Sequence, residues 1–324
     1  MFAAVVKEFG GPEVIKVLPN IPLPVIQSSK QILIRVGAAG VNPVDTYIRS
    51  GQYPSLPTLP YTPGRDGAGI VEKIGADVKH VKVGDRVYFA TSLTGSAAEY
   101  CLAENVFLLP SGLSLQEGAC IGIPYMTAYR AVFLLGKIQK GQRLLVHGAS
   151  GGVGFAAVQM AAKEGVTVVG TAGTEESIEM VRKNGACEVF NHRSAGYIDE
   201  IKSKYPGGFN LIVEMSAHTN LANDLELLAH KGQVAIVGNR GEVTINPRAL
   251  MMKEASVFGV MLANSITADW LAASSYISKF FYTSKFRPVV AHVYPLSSLS
   301  SAHSDIMGSK GAKGKLIVSV NDQL

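Results

Sequence analysis

The chain is predicted to be an α/β protein in which a doubly wound parallel sheet interrupts a β-rich domain. Three observations predict this. The first ~125 residues carry short β-rich runs separated by Pro- and Gly-rich segments. The middle of the chain alternates apolar β-branched runs with helical patterns, the signature of βαβ units feeding one covered parallel sheet. The last ~60 residues return to the style of the first. A length of 324 residues is about two domains' worth. With 47% hydrophobic and only 17% charged residues, the chain can bury a sizeable core, which excludes a disordered protein.

Taken in order, runs 31–36, 69–73 and 86–90 read as strands, and 53–64 holds four prolines. Many short strands with frequent turn signals point to an irregular barrel or sandwich. From about 126 the strand-like runs 143–147, 166–170, 211–214, 233–237 and 256–262 alternate with helical patterns 153–164, 176–184 and 221–230. Residues 268–286 then read as a helix, and 288–290 and 316–320 as strands. The expected division is 1–125 plus 263–324 for the β-rich domain and 126–262 for the α/β domain.

The strongest motif is Val146-His147-Gly148-Ala149-Ser150-Gly151-Gly152-Val153-Gly154. It follows an apolar strand and opens an amphipathic helix, the setting a dinucleotide fingerprint requires in a Rossmann-type sheet. Glycines allow a tight turn and close approach of a pyrophosphate, and the helix N-terminus offers N–H groups and a positive dipole end. The spacing departs from strict GxGxxG, and an ordinary tight βα turn is the competing reading. The second strand runs out into Gly170-Thr171-Ala172-Gly173-Thr174. It carries no carboxylate to bind a ribose 2′-hydroxyl, so room is left for a 2′-phosphate. This favours NADPH, with His192 and Arg193 after the third strand-like run as the expected basic partners.

The net charge of +5 is scattered and does not announce a nucleic-acid binder. Cys101, Cys120 and Cys187 lie far apart and form no CxxC pair, which points to a reducing compartment and excludes most structural zinc sites. The apolar start, residues 1–6, is too short for a signal-peptide core, and no run of 18 apolar residues occurs. A cytoplasmic protein with no membrane association is expected.

At Val41-Asn42-Pro43-Val44-Asp45 and Pro63-Gly64-Arg65-Asp66-Gly67-Ala68-Gly69 the chain resembles the medium-chain dehydrogenase/reductase superfamily. The positions that hold zinc in its alcohol dehydrogenases correspond to Asn42 and Arg65-Asp66, and neither is expected to bind the metal. Taking a hydride from an alcohol needs a Lewis acid or strong base, whereas an electron-poor quinone or enone is reduced without one. Further strings sharpen the resemblance: Gly10-Gly11-Pro12-Glu13-Val14, Thr46-Tyr47-Ile48-Arg49-Ser50-Gly51, Gly122-Ile123-Pro124-Tyr125-Met126-Thr127 and Ile245-Asn246-Pro247-Arg248. With the glycine turn they are similar to the zeta-crystallin/quinone oxidoreductase family over nearly the whole chain.

The resemblance implies a GroES-like catalytic domain around a Rossmann NADPH domain, NADPH:quinone reductase activity, and a homodimer or homotetramer. It implies Tyr47 beside the nicotinamide, and Ser150, Gly151, Gly152 and Val153 on the pyrophosphate. It further implies Gly173 and His192 near the adenosine phosphate, and Asn220, Val237, Gly238, Asn239, Arg240, Val260, Met261 and Leu262 along the rest of the cofactor. Some relatives bind AU-rich RNA, so weak RNA binding is carried as an expectation, as is enone or alkenal reduction by the same fold. Tyr47 could donate a hydrogen bond to a quinone oxygen as charge develops. Asn42 is the second catalytic candidate, although Asn-Pro is equally a helix cap. Arg65-Asp66 reads as a local ion pair, and Tyr125 and Thr127 as residues of the domain junction that could reach the nicotinamide amide. His147 reads as structural. Gly308-Ser309-Lys310-Gly311-Ala312-Lys313-Gly314-Lys315 reads as a flexible basic turn. Finally, 256–262 would be the sheet's last strand, an apolar edge suited to two-fold pairing.

Overall fold

The computed structural model describes residues 1–308, 312–321 and 324. Its strands run, in chain order, β1 (Ala3–Val6), β2 (Ile15–Leu18), β3 (Ile32–Gly40), β4 (Gly67–Ile74), β5 (Arg86–Ala90), β6 (Tyr100–Ala103), β7 (Asn105–Leu108) and β8 (Arg143–Val146). They continue with β9 (Thr167–Ala172), β10 (Glu188–Asn191), β11 (Phe209–Glu214), β12 (Leu228–Ile236), β13 (Ser256–Gly259), β14 (Val290–Pro295) and β15 (Lys315–Ser319). The helices are α1 (Pro43–Arg49), α2 (Leu115–Gly118), α3 (Gly122–Tyr129), α4 (Gly152–Lys163) and α5 (Glu175–Lys183). After them come α6 (Tyr197–Lys204), α7 (Ala217–Leu227), α8 (Arg248–Met251), α9 (Thr267–Thr283) and α10 (Leu299–Asp305). None is long and apolar enough among the described residues to cross a membrane.

Unit 1 comprises Met1–Ile123, Arg287–Lys310 and Gly314–Leu324, and unit 2 comprises Pro124–Phe286 and Gly311–Lys313. In unit 1 a sheet runs β14-β15-β3-β4-β5-β7, with β6 also on β3, beside the small antiparallel pair β1-β2. Strand β3 organises it: its first half pairs with β6 (Ile34↔Cys101) and its last residues with β15 (Gly40↔Ile317). The nine-residue run of β-branched and small residues is long enough to serve both partners. Ile32, Ile34 and Val36 point into one core with Val87, Phe89 and Val106.

In unit 2 six parallel strands take the order β10-β9-β8-β11-β12-β13. The chain leaves β8 toward β9 and β10, then returns to the other side of β8 with β11, so the direction of winding reverses between β8 and β11. The central strands β8, β9 and β11 are almost wholly buried, as a sheet covered on both faces requires, whereas β13 at the edge has no buried residue. Local chemistry sets the helix starts. Thr174 caps α5 by accepting the Ser177 N–H, with Glu175 and Glu176 in the first turn and Arg182 and Lys183 in the last.

Three boundaries differ from the sequence pattern. Helix α7 runs Ala217–Leu227 rather than 221–230, because Leu228 already pairs with Phe209 in the sheet. The last parallel strand ends at Gly259, not 262. Helix α9 belongs to unit 2, so the second junction falls at Phe286/Arg287 rather than at 262/263. Its buried Trp270, Ala273, Ile277 and Phe280 need an apolar cover. Tyr125, Tyr129 and Phe133 supply it through ring contacts with Phe280 and Tyr276.

Candidate functional site

The glycine turn lies at the carboxyl end of β8, where the winding reverses, the place at which open α/β sheets bind ligands. Gly148 has φ +59°, a conformation that favours glycine, and a Cβ on Gly154 would stand 2.4 Å from the Gly148 carbonyl oxygen. Helix α4 can therefore begin directly against the turn. No side chain caps its N-terminus. The helix end keeps its dipole and the N–H groups of Ser150, Gly152 and Val153 for an anion, while the Gly151 N–H closes the turn by donating to the Gly148 carbonyl at 3.0 Å.

The remaining expected cofactor residues of unit 2, Thr127 aside, flank the carboxyl ends of the same sheet. Gly173 directly follows β9, His192 follows β10, Val237 to Arg240 follow β12, and Val260 to Leu262 follow β13. A Cβ on Gly173 would lie 2.8 Å from His192 Nε2 and 2.9 Å from Arg193 Nε, so a ring and a guanidinium close around this glycine. Asn220 stands on α7, where its amide donates to Glu214 at 3.1 Å and accepts from the Tyr197 hydroxyl at 3.4 Å. Thr127 is buried on α3. Tyr125 is buried too, its hydroxyl donating to Gln159 at 2.6 Å and its ring against Phe280 and Phe281. That hydroxyl is committed to the unit's interior, which accounts for Tyr125 without a ligand.

Beneath the turn lies a charged cluster that the sequence pattern did not disclose. His147 Nε2 is 2.9 Å from Asp224 Oδ1 and 3.9 Å from Glu214 Oε2, all three side chains being buried. They form a group with metal-ligating potential among the described residues. At 2.9 Å His147 and Asp224 form a buried ion pair, yet His147 Nε2 and both Asp224 carboxylate oxygens lack a partner of hydrogen-bonding geometry among the described residues. Burial opposes charge on His147, but the Asp224 carboxylate beside it holds its pKa above the usual value. Burial pushes Glu214 up to about 7. On its other nitrogen, His147 meets the Thr171 hydroxyl, which also accepts the Gly148 N–H at 3.2 Å. The cluster thus braces both the glycine turn and Asn220, a structural role for His147.

Unit 1 holds the other candidates. Asn42 is the N-cap of α1, and its N–H donates to Asp45 Oδ2 at 2.8 Å. Its side-chain amide donates to Asp66 Oδ1 at 2.7 Å and accepts from the Lys315 ammonium. Asp66 also accepts from the Ile123 N–H at 2.9 Å. Lys315, 3.7 Å from Asp66 Oδ2, is only 5% exposed. The ion-pair partner of Asp66 is therefore Lys315 and not Arg65, and Lys315 is a buried strand residue and not part of a flexible turn. Residues 309–311 of that basic string lie outside the described residues. Tyr47 is half-buried on α1. Asp45 is 2% exposed; burial, reinforced by Asp66, pushes its carboxyl up to about 6. Lys315 escaped sequence reading because 273 residues separate it from Asn42. The one available signal was a lysine opening an apolar strand.

The architecture, a parallel dinucleotide-binding type of sheet interrupting a GroES-like β unit, defines a medium-chain dehydrogenase/reductase. Two family profiles agree: "Alcohol dehydrogenase GroES-like domain" matches residues 28–132 and "Zinc-binding dehydrogenase" matches residues 152–279. The human protein named quinone oxidoreductase is 48% identical over 322 residues, covering 98% of this chain and 97% of its own. The protein of that name from Sus scrofa is 49% identical, with the same coverage of both chains. This chain belongs to the quinone oxidoreductase family. Among solved structures, Escherichia coli quinone oxidoreductase complexed with NADPH is similar, with a TM-score of 0.86 and 29% identity, covering 98% of this chain and 100% of that one.

Proposed function

We propose that the protein reduces quinones with NADPH and without zinc. The observation that carries this reading is the full-length similarity, near 48%, to proteins named quinone oxidoreductase. The chemistry of the residues fits it. The uncapped start of α4 and the glycine turn suit a pyrophosphate, and the Gly173, His192 and Arg193 corner suits a 2′-phosphate better than a free ribose hydroxyl. Bound NADPH supplies a hydride.

The protein's own residues then hold and orient. Ser150 to Val153 take the pyrophosphate, His192 and Arg193 the 2′-phosphate, and the braced Asn220 amide, Thr127 and residues 237–240 and 260–262 the remainder of the dinucleotide. Tyr47 donates to the acceptor's oxygen, and Asn42 acts as a positioning residue, because its amide is already bonded to Asp66 and Lys315. The edge strand β13, with half-exposed Val257 and Phe258, would pair across a two-fold axis to give a homodimer. A reducing, cytoplasmic setting fits the three free thiols.

The test is oxidation of NADPH by a panel of quinones, enones and aldehydes, read against NADH. Turnover with quinones and preference for NADPH are expected. Tight NADPH binding with no turnover of any quinone would overturn the reading.

A further inference from the structure

Helix α7 turns Ala217, Leu221 and Leu225 onto the core of unit 2, and Asp224 is buried within that stripe. An aspartate is almost never fully buried without a partner of opposite charge. Asp224 is 0% exposed, and among the described residues neither of its oxygens has a hydrogen-bond partner. What faces it comes from two neighbouring strands. Val146 pairs with Val213, so the next residues, His147 and Glu214, stand side by side at the ends of β8 and β11. His147 Nε2, likewise without a hydrogen-bond partner among the described residues, lies 2.9 Å from Asp224 Oδ1 and 3.9 Å from Glu214 Oε2. At 2.9 Å only a poor angle denies a hydrogen bond, so the Asp224 oxygen stands off the line along which an Nε2–H would donate.

The geometry points to a structural divalent-cation site beneath the glycine turn, with His147 Nε2, Asp224 and Glu214 as ligands to zinc or manganese. Donors held about 2.0–2.2 Å from one cation stand about 3 Å apart at a right angle and just over about 4 Å apart when opposed. The spacings of 2.9 and 3.9 Å fall within that range, and the ligating atoms of all three residues lie within 4.8 Å of one another. Such a cation is taken up as the chain folds and is sealed in by its own ligands, so atoms closed to water are what the site requires. Two carboxylates and a neutral imidazole carry two negative charges, which a divalent cation cancels. The imidazole suits zinc, and the carboxylates admit manganese. On Nδ1 the Thr171 hydroxyl, at 3.3 Å, accepts the ring proton and leaves the Nε2 lone pair for the metal, as outer-shell partners of histidine ligands do. Glu214 is oriented by the Ser216 N–H and the Asn220 amide. The cation ties β8, β11 and α7 together and takes no part in hydride transfer, so it stands apart from the quinone reading.

The test refolds the full chain from urea with zinc or manganese chloride, desalts it, and measures its metal content by mass spectrometry. About one cation per chain is expected from a single site of three ligands. Competition against a chromogenic chelator reads the affinity. Asp224→Asn and His147→Gln should each weaken zinc at least about 100-fold, and Thr171→Val, which acts through the other ring nitrogen, about ten-fold. Cobalt(II) in the wild type gives a readout that needs no variant to fold: d–d absorption and a paramagnetically shifted imidazole proton are expected. Retention of no cation by the wild type, zinc affinity unchanged in either Asp224→Asn or His147→Gln, or bound cobalt without a shifted imidazole signal overturns the inference. Protons alone would then hold the cluster.

Discussion

Replacing Lys315 by methionine separates a solvated turn lysine from a buried counterion. Methionine keeps most of the side-chain stem and removes the ammonium. Asp66, 0% exposed, would keep its bonds from Asn42 and the Ile123 N–H but lose its compensating charge. At 3.7 Å the attraction between unit charges is about 4–5 kcal/mol for an effective dielectric constant of about 20. Breaking a buried pair typically costs about 3–5 kcal/mol. A surface lysine changed to methionine would move stability by about 0.5 kcal/mol at most. The expected loss is therefore about 3–5 kcal/mol, in unit 1. The single tryptophan, Trp270, lies in unit 2 and is blind to it. Urea unfolding should be followed by circular dichroism, with hydrogen exchange on β3 and β15 to localise the change. Adding Asp66→Asn should recover part of the loss by removing the stranded charge. A Lys315→Met protein within about 0.5 kcal/mol of wild type, with unchanged exchange in β15, would refute the buried pair.

Other expectations concern unit 2. Gly154→Ala should open the turn, since its Cβ meets backbone atoms of Gly148 and Ala149 at 2.4–2.7 Å, costing about 1–3 kcal/mol and weakening NADPH binding at least about ten-fold in a fluorescence titration. Arg193→Ala should weaken NADPH about ten-fold while leaving NADH nearly unchanged; equal losses for both would remove Arg193 from the 2′-phosphate. Glu214 has a folded pKa of about 7, above its ordinary 4.5. Its penalty is absent below about 4.5 and grows as pH rises to about 7, reaching about 3 kcal/mol. The stability of Glu214→Gln relative to wild type should improve by up to that amount across this window, and a pH-independent difference would contradict it.

Much of this was legible locally. The glycine turn, the missing carboxylate after β9 and the alternation of strands with helices are short-range patterns, and each of them sits where the parallel sheet needs it. The helix boundaries were less legible. The pattern at 221–230 was apolar enough to read as helix, yet pairing of Leu228 with Phe209 draws it into β12. Helix α9 read as part of the C-terminal stretch because periodicity shows that a face is apolar, not which partner covers it.

From its sequence alone, the protein was determined to be an interrupted α/β chain with a dinucleotide turn, since turn chemistry and periodicity act over a few residues. Tertiary structure alone decided the charged interiors. His147, Glu214 and Asp224 come from β8, β11 and α7 and their flanks, and Asn42, Asp66 and Lys315 from three distant segments. Such groups carry no local signature, because what binds them is the need of each buried charge for a partner. Only the folded chain supplies that partner.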